Sequence, residues 1–375
     1  MRVAVAGAGI AGLTSAIALA ARGFSVDLFE RAAELEEVGA GIQLSPNATS
    51  VLQRLGLLGD LAAVLVEPEA IEILDARNGV LLAAIPLGQT ARLRYGAPYA
   101  LIHRADLQTG LLAAARRNPL IDLHLNAEVG TLRAAEAEVS CTAGGHERRS
   151  DILVAADGLR SDVRTGHFGH PGPQPLGRTA WRATLPVAEV PGPIRRDVTG
   201  LWLGPGGHLV HYPVRGGKDL NVVVIAGEEA GAAPPQEPFG HEARRLIGAV
   251  PEWTLWPLFN VDPAPSWARG RVALIGDAAH AMAPSAAQGG AQAIEDAWVL
   301  AAALAKRPDD PAAALRAYER ARRPRVEKVA REARRNLAVY NLRGLPAAAR
   351  NIVLSAMSPE RLLKRLDWLY GWKPQ

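Results

Sequence analysis

Short apolar runs recur along this chain and mark the places where strands are predicted. In the outer parts of the chain the runs are continuous and are separated by helical patterns, as at residues 3–6, 25–29, 152–156 and 272–275. Continuous apolar runs that alternate with helices are typical of parallel strands buried on both faces. The pattern therefore predicts an α/β fold built on a buried parallel sheet.

A different pattern occupies the middle of the chain. From about residue 158 to Trp267, short alternating runs such as 200–203 and 221–225 are punctuated by Pro and Gly. Alternation with period two and frequent turn residues indicate antiparallel strands. We also predict a strand pair near 71–73 and 81–85, helices at 47–58 and 104–117, and helices at the end of the chain.

Length and element order predict domains assembled from discontinuous pieces. The chain has 375 residues, which exceeds the size at which one core usually stops growing. We predict a domain of parallel-sheet type from residues 1–75, 97–175 and 266–340, and an inserted domain with a mixed or antiparallel sheet from 76–96 and 176–265. Residues 341–375 form a C-terminal helical segment.

Composition and charge give no indication that nucleic acid is a binding partner. The formal net charge is +4, from 42 basic and 38 acidic residues, and no RNA- or DNA-binding motif is present, so no nucleic-acid partner is expected. The basic excess is concentrated in residues 316–335, interleaved with glutamates, which predicts a solvated helix face. Its basic members are Arg316, Arg320, Arg322, Arg323, Arg325, Lys328, Arg331, Arg334 and Arg335.

Three features of the sequence predict a cytoplasmic location. No apolar run approaches the ~18 to 20 residues that span a bilayer, so no membrane partner is expected. The single Cys141 excludes an internal disulfide and suits a reducing cytoplasm. The N-terminus faintly imitates a secretory signal, but the spacing of its glycines fits a strand–turn–helix unit better.

That glycine-rich turn follows the first apolar run. Gly7 allows a tight turn, Gly9 allows a pyrophosphate to approach the backbone, and Gly12 allows the next helix to lie close to the sheet. The second strand ends at Glu30, whose carboxylate can accept both hydroxyls of an adenosine ribose. Strand, turn, helix and acid together predict a dinucleotide site.

Two further turns have the same character. The apolar strand at 152–156 ends in Asp157-Gly158, and the strand at 272–275 ends in Gly276-Asp277. A turn of small residues then leads to Gln288-Gly289-Gly290 at the start of a helix, where backbone N–H groups can face a polar or anionic group.

In this order and spacing, the three turns resemble those of the flavin-dependent aromatic hydroxylases, single-component FAD monooxygenases with a fold like 4-hydroxybenzoate hydroxylase. The resemblance covers essentially the whole chain and is greatest to the salicylate, 3-hydroxybenzoate and 6-hydroxynicotinate hydroxylases. It implies a Rossmann-type FAD-binding domain with an inserted substrate-binding sheet domain, plus C-terminal helices.

The resemblance assigns roles to individual residues. It implies that Gly7, Gly9 and Gly12 hold the FAD pyrophosphate, Glu30 the ribose, and Asp277 the ribityl hydroxyls. It implies further cofactor contacts for Ala11, Arg31, Arg104, Val129, Asp157, Gly276, Gln288, Gly289 and Gly290. Because the chain has no second glycine-rich turn of this kind, NADH or NADPH is expected to dock transiently as a co-substrate.

The implied chemistry needs a closed pocket. In this family reduced FAD reacts with O2 to a C4a-hydroperoxide that transfers its distal oxygen to an electron-rich ring, and water must be kept away. Pro284 stands where the family places a residue over the reactive face of the flavin. A base near the substrate hydroxyl is useful because a phenol has a pKa of ~10.

His208, His211 and Tyr212 are the candidates for that base. With a period of two, His208 and Tyr212 share one face of a strand and His211 lies on the other. By resemblance to related His and Tyr pairs, we predict His208 as the base and Tyr212 as its partner or as a substrate hydrogen bond; a structural role for both is the alternative. No histidine grouping predicts a metal site.

Three positions depart from the pattern of the nearest members: Gln43 replaces a histidine, Thr199 a cysteine, and Pro284 a polar residue of the 3-hydroxybenzoate enzymes, which makes 3-hydroxybenzoate less expected. A substrate carboxylate could pair with one of several arginines, although a surface or flavin-domain position is the simpler expectation for each. They are Arg92, Arg94, Arg178, Arg182 and Arg215.

The leading hypothesis is an NAD(P)H-dependent monooxygenase that hydroxylates a small phenolic or hydroxypyridine carboxylate such as salicylate, with or without loss of CO2. Its partners are the aromatic substrate and O2, and it is a monomer or a homodimer. One alternative is a flavin monooxygenase that tailors a larger polyketide or antibiotic-like substrate. Another is a non-catalytic flavoprotein that senses redox state.

Overall fold

The computed structural model describes residues 1–35, 40–192, 194–195, 197–227 and 231–375. Its strands are β1 (Arg2–Ala6), β2 (Ser25–Phe29), β3 (Gly41–Leu44), β4 (Ala70–Asp75), β5 (Leu81–Pro86), β6 (Ala100–His103), β7 (Ile121–His124), β8 (Val129–Ala134), β9 (Val139–Ala143), β10 (His146–Ser150), β11 (Ile152–Ala155), β12 (Gln174–Pro186), β13 (Thr199–Gly204), β14 (Gly207–Val214), β15 (Asp219–Gly227), β16 (Thr254–Asn260), β17 (Ala268–Arg269) and β18 (Val272–Leu274).

The helices alternate with these strands at first and then follow them. They are α1 (Ile10–Ala20), α2 (Pro46–Arg54), α3 (Leu57–Asp60), α4 (Gly88–Tyr95), α5 (Arg104–Arg117), α6 (His241–Ala249), α7 (Asp277–His280), α8 (Gly289–Lys306), α9 (Pro311–Tyr340), α10 (Gly344–Ser355), α11 (Pro359–Lys364) and α12 (Asp367–Tyr370). None of the described helices is both long and apolar enough to cross a membrane.

A six-stranded sheet has the order β17-β18-β11-β1-β2-β7. Its strands are parallel except β17, and β1 pairs with β11 on one side and β2 on the other. The apolar runs in β1, β11 and β18 are buried, so the predicted parallel sheet is confirmed. Because parallel strands end at the same edge, the three turns that follow β1, β11 and β18 share one edge of this sheet.

A seven-stranded sheet has the order β16-β12-β15-β14-β13-β4-β5. All neighbours are antiparallel except β13 and β4, so the sheet is mixed. Trp181, Leu209 and Trp202 pack on one face in a core that includes α6 residues such as Leu246. We call the opposite face, which carries Val210 and Tyr212, the site face. The predicted α/β fold class is confirmed.

The helical predictions are correct in part. The helix predicted at 104–117 matches α5, but the one predicted at 47–58 is broken. Helix α2 ends at Arg54, and Gly56 has a φ of +74°, in the left-handed region that a glycine adopts easily, before α3 begins. Helix α4 was not predicted from the sequence pattern.

The C-terminal helices pack beside the site face, where Leu363 and Leu369 lie in the cluster that contains Tyr212. Arg325 on α9 donates to the main-chain oxygens of Trp368 (3.0 Å) and Leu369 (2.9 Å). Arg94 on α4 forms a two-point ion pair with Asp367. Residues near the end of the chain are therefore fixed to elements far away in sequence.

Candidate active site

The three turns touch one another at the edge of the parallel sheet. A Cβ atom placed on Gly7, where φ is +97°, would lie 2.5 Å from the carbonyl oxygen of Ala156, which directly precedes Asp157. A Cβ on Gly276 would lie 2.9 Å from the Cβ of Ala11 in the first turn. The predicted site residues of the three turns are therefore brought together, as the resemblance implied.

Open space lies beside two of the glycines. Apart from the adjacent residues and the backbone of its own helix, no described heavy atom lies within 4 Å of a Cβ placed on Gly9 or on Gly289. By contrast, a Cβ on Gly12 would lie 1.8 Å from the oxygen of Gly7, and one on Gly290 would lie 2.5 Å from Ile42. Gly12 and Gly290 thus serve the packing of α1 and α8, whereas Gly9 and Gly289 face a cradle that a ligand can fill.

The carboxylate of Glu30 lies at one end of this cradle. One oxygen accepts a hydrogen bond from Ala8 N (2.8 Å) and the other from Ala32 N (2.9 Å). Each oxygen retains capacity to accept another bond, as ribose hydroxyls require. Ala127 N donates to the main-chain oxygen of Glu30 (2.8 Å), which brings the start of β8, at Val129, to this end. Arg31 is exposed beside it.

Asp157 carries an unpaired acceptor beside the first glycine turn, where a Cβ on Gly7 would lie 3.2 Å from its Cα. Its Oδ2 accepts a hydrogen bond from Val163 N (3.2 Å), whereas Oδ1 is buried without a hydrogen-bond partner among the described residues. Burial raises the pKa of this carboxyl group. A buried oxygen without a partner is costly, which indicates that a hydrogen-bond donor from a ligand belongs there.

Asp277 begins α7 with its side chain exposed, and a buried ion network supports the turn before it. Asp296 on α8 accepts hydrogen bonds from Gly276 N (3.0 Å), His280 Nε2 (2.6 Å) and Arg322 Nε (2.8 Å). Gly276 has a φ of +57°, and the bond from its N–H helps to hold that conformation. His280 is therefore a supporting residue in this structure.

The basic face predicted for α9 is wrong for the residues that join this network. Arg322 is 1% exposed and contacts both Glu295 and Asp296, and Arg325 binds Glu295 through two nitrogens (2.7 and 2.8 Å). Burial alone would raise the pKa of Glu295, but the two arginine charges outweigh it and lower that pKa. These residues pack α9 onto α8.

The side chain of Gln288 turns into the protein. Its Nε2 donates to Ser45 Oγ (2.7 Å), and its Oε1 accepts hydrogen bonds from Asn47 (3.2 Å) and Gln292 (3.1 Å). Only its main chain, at the N-terminus of α8, is left to face a cofactor. Contact of Gln288 with the cofactor thus remains a prediction that concerns its backbone.

The site face carries a row of polar side chains across the sheet. Tyr212 on β14 pairs with Asn221 on β15, and continuation of the β13–β14 register places Thr199 on the other side of Tyr212. We call Thr199, Tyr212 and Asn221 the polar row. Gly41 N donates to Asn221 Oδ1 (2.6 Å), which joins the row to β3.

The polar row is rich in unused hydrogen-bonding groups. Thr199 Oγ1 and Asn221 Nδ2 are buried without partners among the described residues, and so is Nε of Arg182 on the adjacent strand β12. Burial lowers the pKa of Arg182, and the nearby Tyr212 opposes that effect. Burial raises the pKa of Tyr212, so its hydroxyl keeps its proton. These groups form a patch of donors suited to an anion.

The other arginines considered from the sequence are engaged elsewhere. Arg92 pairs with Glu67, Arg94 with Asp367 and Arg215 with Asp219, while Arg178 donates to the oxygen of Gly206. Arg182 instead lies 5.8 Å from the ring centre of Trp256, and within the described residues it pairs with no carboxylate. Of the five, Arg182 is the candidate for a substrate anion. Arg104 begins α5, close enough to Tyr212 to lower its pKa slightly against the effect of burial.

His208 lies on the site face, four residues before Tyr212, as the period of two predicted. It is 1% exposed, with Nδ1 3.3 Å from Asn341 Oδ1 and its ring 5.3 Å from that of Tyr340. Burial lowers its pKa to about 4, so the imidazole is neutral at physiological pH. His211 is on the opposite face, where it binds Trp202 and the main chain of Arg195.

Pro284 lies in a short 3-10 turn between α7 and α8. The next residue, Ser285, donates to the oxygen of Ala333 (2.5 Å), and Asn336 donates to the oxygen of Ser285 (3.3 Å), so α9 holds this turn. Met282, just before it, packs against both the core of the parallel sheet and the cluster that contains Tyr212. Pro284 therefore lies close to the junction between the core of the parallel sheet and the cluster that contains Tyr212.

Comparison with known proteins decides the family. A family model described as an FAD binding domain matches residues 1–333. The chain is also 38% identical to 3-hydroxybenzoate 6-hydroxylase 1 of Aquipseudomonas alcaligenes, over 98% of this chain and 97% of that relative. The chain belongs to the FAD-dependent aromatic hydroxylases.

Two further similarities cover nearly all of the hydroxylase. It is 39% identical to 3-amino-4-hydroxybenzoate 2-monooxygenase of Streptomyces cremeus, over 99% of this chain and 95% of the relative. A solved complex of salicylate hydroxylase with its substrate matches with a TM-score of 0.82 and 28% identity, over 100% of this chain and 96% of the other. The predictions of FAD as cofactor and of a monooxygenase are confirmed, and the non-catalytic flavoprotein is set aside.

FAD fits the cradle formed by the three turns. The N-terminus of α1 at Gly9 suits a pyrophosphate, since the first N–H groups of a helix lack partners within the helix. Glu30 can accept ribose hydroxyls, and the free oxygen of Asp157 can accept a donor from the cofactor. Strand β3 joins the turns to the site face, since a Cβ on Gly290 would lie 2.5 Å from Ile42 and one on Gly41 would lie 2.4 Å from Tyr212.

The sequence pattern missed Asn221 and Asn341 as site residues. Asn221 is the one polar residue within an apolar run, 220–226, and a polar residue inside a buried strand is the signal that could have identified it. Asn341 follows a long helix and reaches His208 across 133 positions, so no local pattern indicates it.

Proposed function

We propose that this hydroxylase adds an oxygen atom to a single-ring hydroxybenzoate or hydroxypyridine carboxylate whose hydroxyl lies meta or para to the carboxylate. Bound FAD, reduced by NADH or NADPH, supplies the reduction of O2 and the transfer of one oxygen atom to the ring. The observation that carries the proposal is the site face, which has a donor patch at one end and a neutral imidazole at the other.

The donor patch suits the carboxylate. Asn221 Nδ2 and Arg182 Nε have no acceptor among the described residues, and the hydroxyl of Tyr212 keeps its proton. A carboxylate offers about four acceptor positions and a negative charge, so it satisfies several buried donors at once. An uncharged substrate end would leave these donors unpaired, at a cost of roughly 1 to 3 kcal/mol each.

His208 suits the substrate hydroxyl. A neutral imidazole can take the proton of a phenol as the ring is attacked, which makes the ring more electron-rich. Burial keeps the pKa of His208 at about 4, so the group is available as an acceptor at neutral pH. Burial also raises the pKa of the neighbouring Tyr340 to about 12, so that side chain cannot compete as a base.

The spacing on β14 argues for a substrate with polar groups at both ends. Four residues of an antiparallel strand separate the Cα atoms of His208 and Tyr212 by about 14 Å. Because both side chains leave the same face of the strand, a substrate that contacts both must carry polar groups at opposite ends of its ring. A hydroxyl ortho to the carboxylate would lie at the same end as the carboxylate and far from His208. We therefore favour meta and para isomers over salicylate.

The names of the relatives agree with this choice and, for the meta isomer, outweigh the departure at Pro284 that made 3-hydroxybenzoate less expected from the sequence. The relatives from Aquipseudomonas and Streptomyces are named for a 3-hydroxybenzoate and a 4-hydroxybenzoate, with the hydroxyl meta or para to the carboxylate. The salicylate enzyme, whose substrate has an ortho hydroxyl, matches at lower sequence identity.

An isomer series tests the substrate class. NADH and NADPH oxidation and product formation are measured with 2-, 3- and 4-hydroxybenzoate, with 6-hydroxynicotinate and with the methyl ester of the best acid. We expect the 3- or 4-isomer to accelerate flavin reduction and to give a hydroxylated product, with kcat/KM at least about 10-fold above salicylate and above the ester. Fast turnover of salicylate, or of a multi-ring substrate alone, would overturn the proposal.

Arg182→Met tests the carboxylate end. We expect KM for the acid to rise at least about 10-fold, since a charged hydrogen bond is lost, while turnover of the methyl ester changes little. The control is Arg215→Met, which removes an exposed arginine that pairs with Asp219 instead. Equal effects on the acid and its ester would contradict a carboxylate role for Arg182.

A further inference from the structure

The amide of Asn341 lies between two fixed groups. Its Nδ2 donates to the main-chain oxygen of Leu337 (2.5 Å), four residues earlier in α9, and its Oδ1 faces His208 Nδ1 (3.3 Å). Its main-chain oxygen accepts a hydrogen bond from Gly206 N (3.2 Å) in the turn between β13 and β14. Asn341 therefore joins the end of α9 to the hairpin that carries His208.

The orientation of the amide is determined by its partners. A main-chain oxygen is only an acceptor, so the group that faces Leu337 must be the amide nitrogen. The amide oxygen then has to face His208, and an oxygen of this kind only accepts hydrogen bonds. The hydrogen in the contact with His208 must therefore be on Nδ1 of the imidazole.

This contact leaves the other ring nitrogen with its lone pair. A neutral imidazole carries one N–H, and if that hydrogen is on Nδ1, then Nε2 is an acceptor. Nε2 of His208 has no hydrogen bond to a described residue. A phenol proton can be transferred only to a nitrogen that is unprotonated and accessible, so the position of the hydrogen decides whether His208 can act as a base.

We propose that Asn341 is a positioning residue that holds His208 in the Nδ1–H tautomer, so that Nε2 accepts the proton of the substrate hydroxyl. This proposal rests on the proposed function of His208. In the step, the phenol O–H bond breaks, the electron pair stays on oxygen and the proton goes to Nε2. The imidazolium that forms still donates from Nδ1 to Asn341, which therefore stabilises the charged state as well.

His211 provides an internal comparison on the same strand. Its Nδ1 accepts a hydrogen bond from Trp202 Nε1 (3.0 Å), an obligate donor, and its Nε2 therefore donates to the oxygen of Arg195 (3.0 Å). The two histidines of β14 are thus held in opposite tautomers by their partners. His211 does not contact Asn341, so a change at Asn341 should leave its tautomer unchanged.

The tautomers can be read directly from ring-nitrogen shifts in the FAD-loaded enzyme. We label the nine histidines with ¹⁵N and assign His208 and His211 by comparison with His208→Gln and His211→Gln. In the unchanged enzyme we expect Nδ1 of His208 to be protonated and Nε2 unprotonated, with the reverse for His211. Asn341→Leu should give His208 a mixture of both tautomers and leave His211 as it was.

Activity measurements then link the tautomer to turnover. We expect Asn341→Leu to lower kcat for hydroxylation at least about 10-fold with a small change in KM, because a general base contributes about 100-fold or more. Asn341→Asp keeps an acceptor for Nδ1–H and should rescue most of the rate. The added negative charge favours the imidazolium and should raise the pKa of His208, which moves the acidic limb of the pH profile to higher pH. Arg178 and Tyr340, which also lie near His208, are unchanged in this variant.

The outcomes separate the two proposals. An Nε2–H tautomer in the unchanged enzyme, or a His208 tautomer that Asn341→Leu does not alter, would overturn the role of Asn341. If the tautomers behave as expected but His208→Gln hydroxylates at the normal rate, Asn341 does fix the tautomer and the assignment of His208 as the base fails. Asn118→Leu, at the same C-terminal position of α5, controls for loss of a helix-capping asparagine.

Discussion

Tyr212 occupies a position that only a glycine at residue 41 leaves open. A Cβ atom on Gly41 would lie 2.4 Å from Cε2 and 3.0 Å from the hydroxyl of Tyr212, both shorter than ordinary van der Waals contacts. The N–H of Gly41 also holds Asn221. Gly41, at the start of β3, thus fixes two of the three members of the polar row.

Gly41→Ala should therefore displace Tyr212 and weaken substrate binding. We expect KM for the carboxylate substrate to rise about 10-fold while FAD stays bound, because the added methyl group does not reach the three turns. Steady-state kinetics and flavin absorbance measure the two effects. Gly248→Ala in α6, where no described atom lies within 4 Å of the added Cβ, is the matched control and should change neither.

The sequence alone predicted that His208 and Tyr212 share a face, because alternation along a strand depends only on local geometry. It did not predict the partners of these residues. Asn341 reaches His208 through the packing of a helix on a hairpin. Arg182 is distinguished from the other four arginines by a buried guanidinium nitrogen, Nε, that has no partner within the described chain. Such facts follow from tertiary contacts, which one sequence does not show.

At the scale of elements, α8 and α9 are joined by buried charges. Arg322 contacts Glu295 and Asp296, and all three side chains are at most 1% exposed. The pattern of charges had predicted a solvated face for α9, because a run of arginines and glutamates does not reveal which side of the helix is covered. The strands and the glycine turns were predicted correctly because apolar runs and turn glycines are local signals.

Removal of Arg322 should destabilise the protein strongly. For Arg322→Met we expect the free energy of unfolding to fall by about 3 to 5 kcal/mol, because two buried carboxylates lose a compensating charge. Denaturant unfolding at a fixed FAD concentration measures the loss. Its neighbour Arg323 pairs with Glu319 at a half-exposed position, so Arg323→Met should cost less than about 1 kcal/mol. Similar losses for both variants would show that the network contributes little.

At the scale of the whole molecule, two buried histidines make the fold sensitive to acid. Burial lowers the pKa of both His208 and His211 to about 4, whereas unfolding returns them to about 6.5. Below pH 6.5 the unfolded chain binds protons that the folded chain does not, so stability falls as pH falls from about 6.5 to about 4.

The free energy of unfolding should drop by roughly 4 kcal/mol between about pH 7 and pH 5 from these two groups together. Urea unfolding at several pH values across this range, at a fixed FAD concentration, gives the slope of the free energy of unfolding against pH. In His211→Gln the amide can still accept a hydrogen bond from Trp202 and donate one to the main chain. The drop in the free energy of unfolding between about pH 7 and pH 5 should therefore be about half as large. An unchanged slope in that variant would mean that other groups dominate the acid response.

The contact between Gly276 and Ala11 also has a consequence for biosynthesis. The first glycine turn leaves the ribosome early, but the turn that packs against it is 265 positions later, and α8 follows that. Because domains generally fold as the chain emerges, the first turn must wait for most of the protein before its cradle is complete. Nascent chains that stop before α8 should therefore remain colourless even when FAD is abundant, so uptake of the flavin should begin only when synthesis is nearly finished.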